Sequence, residues 1–157
     1  SLNAAFAADI LYIPSGPGYW EYDSTTSFLG QLGDALEDIS VGYEKIAEDA
    51  GIQLPKRFDD VRLLMTRFET SNPLHAAMME AFRNVFGADV CQNAIEMTRA
   101  VEQSGRFQMS VYEQDYRQMT RETWKRARQS FDAAYDEFKG VVLGAWERRG
   151  QKEEVEA

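Results

Sequence analysis

Apolar residues that recur every three or four positions constrain the fold of this chain more than any other feature. Between residues 29 and 46 the intervals are 3, 4, 3, 4 and 3 residues. This spacing places side chains on one face of a helix and favours packing against a neighbouring helix. Residues 23–26 offer N-cap oxygens before the run, and Gly51 follows it, so a helix is expected between them. The six apolar residues are Leu29, Leu32, Leu36, Ile39, Tyr43 and Ile46.

Two shorter helices are expected next. Residues 55–70 carry apolar side chains at intervals of 3, 4 and 3, and begin with a proline that suits an early helical position. Asn72 is a good N-cap and Pro73 suits the first helical position, so a third helix starts there. Gly87 then predicts a stop or a kink before the chain continues to Gly105. The apolar residues of the second helix are Phe58, Val61, Met65 and Phe68.

The last predicted helix is the longest. No proline interrupts residues 106–149, and an apolar stripe runs along them. A helix of that length would span ~60 Å, which exceeds the diameter of a compact domain of this size. The helix therefore breaks, with Gly140 the best position, or the molecule is elongated. Residues 151–157 form a charged tail that is expected to fray.

The first 25 residues differ from the rest. Residues 10–13 and 19–22 are rich in β-forming residues, and the Pro/Gly segment 14–18 between them predicts a turn. We therefore expect a hairpin or extended arm over residues 1–25, followed by a helical domain over residues 26–150. The predicted fold is all-α: a bundle of four to five helices with a long C-terminal helix and a short β-like N-terminal arm.

Ala5 and Ala7 match the small residues that precede a signal-peptidase cut. The pair is either the remnant of an export signal or a coincidence, so a periplasmic or secreted location and a cytoplasmic one both remain open. No apolar run approaches the ~18 residues that a membrane-spanning helix needs. The expectation is a chain without a transmembrane segment.

Composition limits the classes of partner. A chain of 157 residues with 44% hydrophobic residues suits one domain. Its formal net charge of −9 opposes attraction to nucleic acids or anionic membranes, so no nucleic-acid partner is expected. The single cysteine, Cys91, cannot form an internal disulfide.

The sequence lacks a catalytic or metal-binding motif. His75 is the only histidine and has no Glu-x-x-His or His-Glu-x-x-His spacing around it. Cys91 is expected to be a small core residue, and there is no phosphate loop or dinucleotide motif. We therefore predict no enzyme activity, no cofactor and no metal.

Three groups of residues are candidates for partner binding. The N-terminal rings either close the end of the bundle or contact a partner. A basic stripe with intervals of 4, 4 and 3 favours an acidic partner, which could be the chain's own first helix. The apolar segment 139–146 needs cover from the N-terminal arm or from a second subunit. The candidates are Tyr12, Tyr19, Trp20, Tyr22, Arg117, Arg121, Lys125, Arg128, Val142, Leu143 and Trp146.

These features favour a non-catalytic assembly protein that acts through its surfaces, including an exported subunit of an envelope, secretion or virion complex. Its partner would be another protein or a second copy, with a homo-oligomer forming through the last helix. The alternative is a small-molecule-binding or sensor bundle with an internal apolar pocket. The residues that would line this pocket are Met65, Met78, Met79, Phe82 and Trp124.

Overall fold

The computed structural model describes residues 2–51, 54, 57–115, 117 and 119–156. Helices and strands alternate along the first half of the chain, and two helices follow in the second half. A short 3-10 turn, Gly87–Asp89, follows the third helix. The elements are α1 (Leu2–Ala7), β1 (Ile10–Ser15), α2 (Tyr19–Ala50), β2 (Asp60–Met65), α3 (Pro73–Phe86), α4 (Arg99–Phe107) and α5 (Arg121–Glu156).

The two strands form a parallel sheet, with Ile10 opposite Asp60 and Ser15 opposite Met65. A third extended segment, residues 90–97, runs parallel to β2 through isolated bridges. Its Cys91 and Ile95 backbone N–H groups donate to the carbonyls of Leu63 and Met65, both at 2.9 Å. Parallel neighbours need crossover connections, and α2 and α3 supply them. The chain is mostly helical, but its helices are organised around a sheet.

The all-α prediction is therefore wrong, and the predicted helix over residues 55–70 is its main error. Residues 60–65 form β2, and Val61, Leu63 and Met65 alternate along it toward the core; residues 55 and 56 lie outside the described residues. A short apolar run satisfies both the helical and the strand period, so spacing could not separate the two. The predicted hairpin is also wrong. Residues 10–13 are extended, but residues 19–22 begin α2, and β1 pairs with β2 instead.

The predicted helix ends are confirmed where local chemistry sets them. Asn72 caps α3 by accepting a 3.0 Å hydrogen bond from the Leu74 N–H, and Pro73 occupies the first turn. Gly51 ends α2 in the left-handed conformation with φ of 66°, which glycine adopts without steric cost. Gly87 ends α3 with φ of 56°.

The core lies between one face of the sheet and the helices α2 and α3. It is formed by Ile13, Leu63, Met65, Met79, Phe82 and Val90, with Tyr22 packed edge-on against Phe82 at a centroid distance of 5.0 Å. Met65, Met79 and Phe82 are buried in this core and Met78 packs against it, so these side chains fill the space that the predicted internal pocket would need. Trp124 lies elsewhere, at the start of α5.

The apolar residues that recur along α2 between residues 29 and 46 do not form a coiled coil. Leu36 is buried and Leu29 packs on the sheet core, but Tyr43 and Ile46 are 56% and 62% exposed. Apolar side chains in the first part of the helix contact the sheet core, whereas those of the last turns are mostly exposed, apart from the buried Ala47.

Helix α5 covers the opposite face of the sheet. The Phe138 ring contacts Tyr12 of β1 edge-on at 5.1 Å, and near the end of the helix Arg148 pairs with Asp60 at 3.2 Å and Arg149 with Asp9 at 2.6 Å. The helices on both faces make a three-layered α/β/α arrangement.

The predicted helix over residues 106–149 begins too early: residues 106 and 107 are the end of α4, the described residues between 108 and 120 form no α-helix, and α5 starts at Arg121. The break lies at the end of α4, where Gln108 adopts the left-handed conformation with φ of 51°. Helix α5 then continues through Gly140 to Glu156, so the predicted break at that glycine is wrong. A lone glycine lowers helix propensity by only about 1 kcal/mol, which neighbouring residues can offset. Among the described residues, no helix is both long and apolar enough to cross a bilayer.

Candidate functional site

The carboxyl ends of β1 and β2 open into a cleft of about 320 Å³, here called the carboxyl-edge cleft. The Thr66 N–H and hydroxyl groups donate to the Ser15 carbonyl at 2.8 and 3.2 Å, so the two strand ends are joined. The Ser15 and Thr25 hydroxyls hydrogen bond at 2.9 Å. In parallel α/β sheets, ligands bind outside the carboxyl ends of the strands. The hydroxyl groups of the cleft suit a small polar ligand.

An ion pair covers this cleft. Arg67, with a left-handed φ of 55°, places its guanidinium 2.7 Å from the Glu21 carboxylate. A Cβ at Gly16 would lie 2.5 Å from the Arg67 Nη2 atom, and one at Gly18 would lie 2.2 Å from Glu21. The glycines thus leave the space in which the ion pair lies. Sequence reasoning missed Glu21, Thr66 and Arg67, because only a parallel sheet brings residues so distant in sequence together.

A second candidate site is here called the α5 basic surface; it comprises Arg117, which precedes the helix, and Arg121, Lys125 and Arg128 in its first turns. Residues 117–128 carry five basic groups and one acidic group, in a chain whose net charge is −9. Arg121 and Lys125 are exposed and form no ion pair within the described part of the chain. No ion pair joins this surface to α2 among the described residues, so an acidic partner within the chain's own first helix is not observed there.

The other two cations of this surface have partners, one of them strong and one weak. The Arg128 guanidinium lies 4.8 Å from the Trp124 ring centroid and 5.2 Å from that of Tyr112. Arg117 lies 3.8 Å from the Asp115 carboxylate in a well-exposed pair, which contributes little energy. The surface therefore combines one cation fixed by aromatic rings, Arg128, with one weakly paired cation, Arg117, and two that are available to a partner.

The four N-terminal aromatic residues that were predicted as partner-binding candidates fall into two pairs. Tyr12 and Tyr22 are half-buried and pack against Phe138 and Phe82. Tyr19 and Trp20 begin α2 and are 68% and 78% exposed.

The apolar segment of α5 is only partly covered. Val142 is half-buried, whereas Leu143 and Trp146 are 43% and 65% exposed. The N-terminal strand contacts α5 at Phe138, before this segment.

Cys91 and His75 have structural contacts. Cys91 is 1% exposed, its thiol lies 3.7 Å from the Tyr12 hydroxyl, and burial raises the pKa of both groups. His75 accepts a 3.0 Å hydrogen bond at Nδ1 from the Glu69 N–H. No cluster of potential metal ligands occurs among the described residues.

Glu137 fixes α5 to the third extended segment. Its carboxylate accepts hydrogen bonds from the backbone N–H groups of Gln92 and Asn93 and from the Asn93 side chain, at 2.8, 2.9 and 2.8 Å. Burial alone would raise the pKa of Glu137, but these donors outweigh it and lower the pKa.

No protein-family model matches the chain. It is 28% identical over 148 residues to a putative replication protein A of Rhizobium rhizogenes and 29% identical over 149 residues to one of Sinorhizobium fredii. It is 27% identical over 154 residues to protein SopA of Escherichia coli K12. These matches cover 94–95% of this chain but only 34–36% of each relative, so the chain spans about a third of their length.

A solved structure described as a partition protein shares the fold. The TM-score is 0.56 at 16% sequence identity, over 89% of this chain and 32% of that one.

These relatives overturn two predictions. The prediction of a secreted or periplasmic structural subunit for an envelope, secretion or virion complex is wrong, because the relatives are named for replication and the structural neighbour for partition. The exclusion of nucleic acid is contradicted as well, since replication acts on nucleic acid. The physical error was to use net charge, because a local basic surface can attract a polyanion in an acidic chain.

Proposed function

We propose that this chain serves DNA replication or partition as one α/β segment of a longer protein. The observation that carries the proposal is the extent of the sequence match, which covers 94–95% of the chain in relatives named replication protein A and SopA. A match of this extent includes both strands and every helix around them. The shared fold of the partition protein supports the same assignment.

We assign the contact with DNA to the α5 basic surface. Arg121 and Lys125 stand at the start of a 36-residue helix, where the positive end of the helix dipole also favours phosphate. Phosphate contacts of this kind give affinity without sequence preference. The segment acts by binding in this proposal, and neither Cys91, which is buried, nor His75, which is engaged by backbone, is assigned a catalytic role.

The test is fluorescence anisotropy with a labelled DNA duplex across a salt series. The double variant Arg121→Ala/Lys125→Ala should bind more weakly, and its plot of log K against log salt should be less steep by about 2, because each lost phosphate contact removes about 0.9. The matched control Lys45→Ala/Lys139→Ala removes the same charge from exposed positions outside the surface.

Equal salt slopes for the two double variants would refute this site. The binding experiment tests only the DNA-binding site, so the role in replication or partition needs a separate experiment in cells. If the protein acts in replication or partition, deletion of its gene raises the loss rate of the replicon that carries it; an unchanged loss rate would refute the broader proposal.

A further inference from the structure

The third extended segment lies against β2 on one side and has a free edge on the other. Ile95 directs both of its backbone groups to the β2 side: its N–H donates to the Met65 carbonyl at 2.9 Å, and its carbonyl accepts from the Phe68 N–H at 3.0 Å. Because successive backbone groups alternate in direction, those of Ala94 and Glu96 point away from β2. Within the described part of the chain, these backbone groups form no hydrogen bond.

This free edge is protected at one end only. Gln92 and Asn93 form a bend, and their backbone N–H groups donate to the Glu137 carboxylate at 2.8 and 2.9 Å. The Arg83 guanidinium lies 3.4 Å from the Gln92 carbonyl. Bends and charged side chains protect exposed strand edges against added strands, but here this protection ends before Ala94. The residues that follow the bend therefore remain open to another backbone.

A groove of about 420 Å³ runs along the open part of the edge and is here called the α3–α5 groove. Met79 and Arg83 of α3 form one wall. The other wall is formed by Arg126, Gln129, Ser130 and Ala133 of α5. The backbone edge thus lies at the floor of a groove between two helices. A second copy carries the same two walls, which hold its own edge back, whereas a single extended segment can enter between them.

The charges along the groove favour an acidic segment. Arg126 is already paired, since its Nε atom lies 3.2 Å from the Glu96 carboxylate. Arg83 is exposed and forms no ion pair among the described residues, and its 3.4 Å contact with the Gln92 carbonyl is longer than a usual N–H···O bond. A carboxylate would give this guanidinium a shorter, charge-assisted bond.

We propose that the α3–α5 groove binds an extended acidic segment of a protein partner, which adds a strand beside Ala94 and Glu96. The backbone of the segment supplies the missing hydrogen-bond partners, and one of its carboxylates pairs with Arg83. This surface goes beyond the proposed contact with DNA and uses none of the residues of the α5 basic surface.

The test uses the polypeptide as its gene encodes it and a labelled octapeptide of alternating valine and glutamate, followed by fluorescence anisotropy. This peptide should bind, and the peptide with lysine in place of each glutamate should not. A third peptide keeps the glutamates but carries N-methyl groups on the backbone of its central residues. It should bind at least about tenfold more weakly, because strand addition requires its N–H donors.

Variants locate the binding surface. Arg83→Glu should weaken binding of the valine–glutamate peptide at least about tenfold, because attraction to the carboxylate becomes repulsion. Arg99→Glu makes the same charge reversal at an exposed position outside the groove and should have little effect. Arg121→Ala/Lys125→Ala should keep full peptide binding, which separates this surface from the one assigned to DNA.

Amide hydrogen exchange reports on the backbone directly. At saturating peptide, the Ala94 and Glu96 amides should exchange at least about tenfold more slowly than in the free protein. The Cys91 and Ile95 amides donate to β2 and should be protected with or without peptide, which shows that the segment is folded in both samples.

Four results would overturn the proposal: no binding of the valine–glutamate peptide, equal binding of its N-methylated form, equal effects of the two charge reversals, or unchanged exchange at Ala94 and Glu96. Protection of these two amides that is present without peptide and is lost on dilution would also overturn it, and would assign the edge to a second copy. DNA binding through the α5 basic surface does not depend on any of these outcomes.

Discussion

Replacement of Glu137 by glutamine tests whether one carboxylate fixes α5 to the sheet. The wild-type side chain accepts three hydrogen bonds, two from the backbone N–H groups of Gln92 and Asn93 and one from the Asn93 amide. A net charge-assisted bond contributes about 1.5–3 kcal/mol when well shielded, but these groups are partly exposed and glutamine keeps one acceptor oxygen. We therefore expect a loss of about 1–2 kcal/mol.

The assay is urea unfolding followed by circular dichroism. With a slope of about 2 kcal/mol per molar urea, the midpoint should fall by about 0.5–1 M. Glu147→Gln is the matched control, since it makes the same change at an exposed position of the same helix. It should leave the midpoint within about 0.25 M of wild type.

The pH dependence provides a second check. The folded-state pKa of Glu137 lies below its ordinary value of 4.5, so its contribution is present above that value and is lost as pH falls through the folded pKa. The difference between wild type and Glu137→Gln should therefore be full at pH 7 and shrink below pH 4.5. A difference that is absent at pH 7, or that grows on acidification, would refute the assigned role.

Two further predictions concern α3. Phe82→Ala should lower the free energy of unfolding by about 3–5 kcal/mol, measured by chemical denaturation, since the side chain is fully buried in the core. Val85→Ala, at a 56% exposed position of the same helix, should lower it by less than about 1 kcal/mol. Asn72→Ala should lower the free energy of unfolding by about 1 kcal/mol, because the hydrogen bond from the Leu74 N–H is lost. Asn84→Ala, at an exposed position inside the helix, should not destabilise the protein. Equal losses of stability in the two variants would exclude a capping role for Asn72.

The candidate sites could be predicted only where they lie within one element. Arg121, Lys125 and Arg128 lie within one helix, so sequence intervals relate them directly, whereas Arg117 of the predicted stripe precedes α5. The carboxyl-edge cleft joins Glu21 to Arg67 across 46 positions, and no local pattern relates them. The exclusion of nucleic acid failed because a net charge contains no information about where the charges lie.

The sequence by itself determined the local features: the cap of α3 at Asn72, the helix ends at the positive-φ residues Gly51 and Gly87, and the extended state of residues 10–13. Each depends on the chemistry of neighbouring residues alone. The tertiary structure decided that residues 60–65 are a strand, since their spacing fits both periods until β1 provides backbone partners and α3 covers one face. Pairing partners come from distant parts of the chain, and for that reason the sheet, and the cleft at its carboxyl edge, could not be read from local spacing.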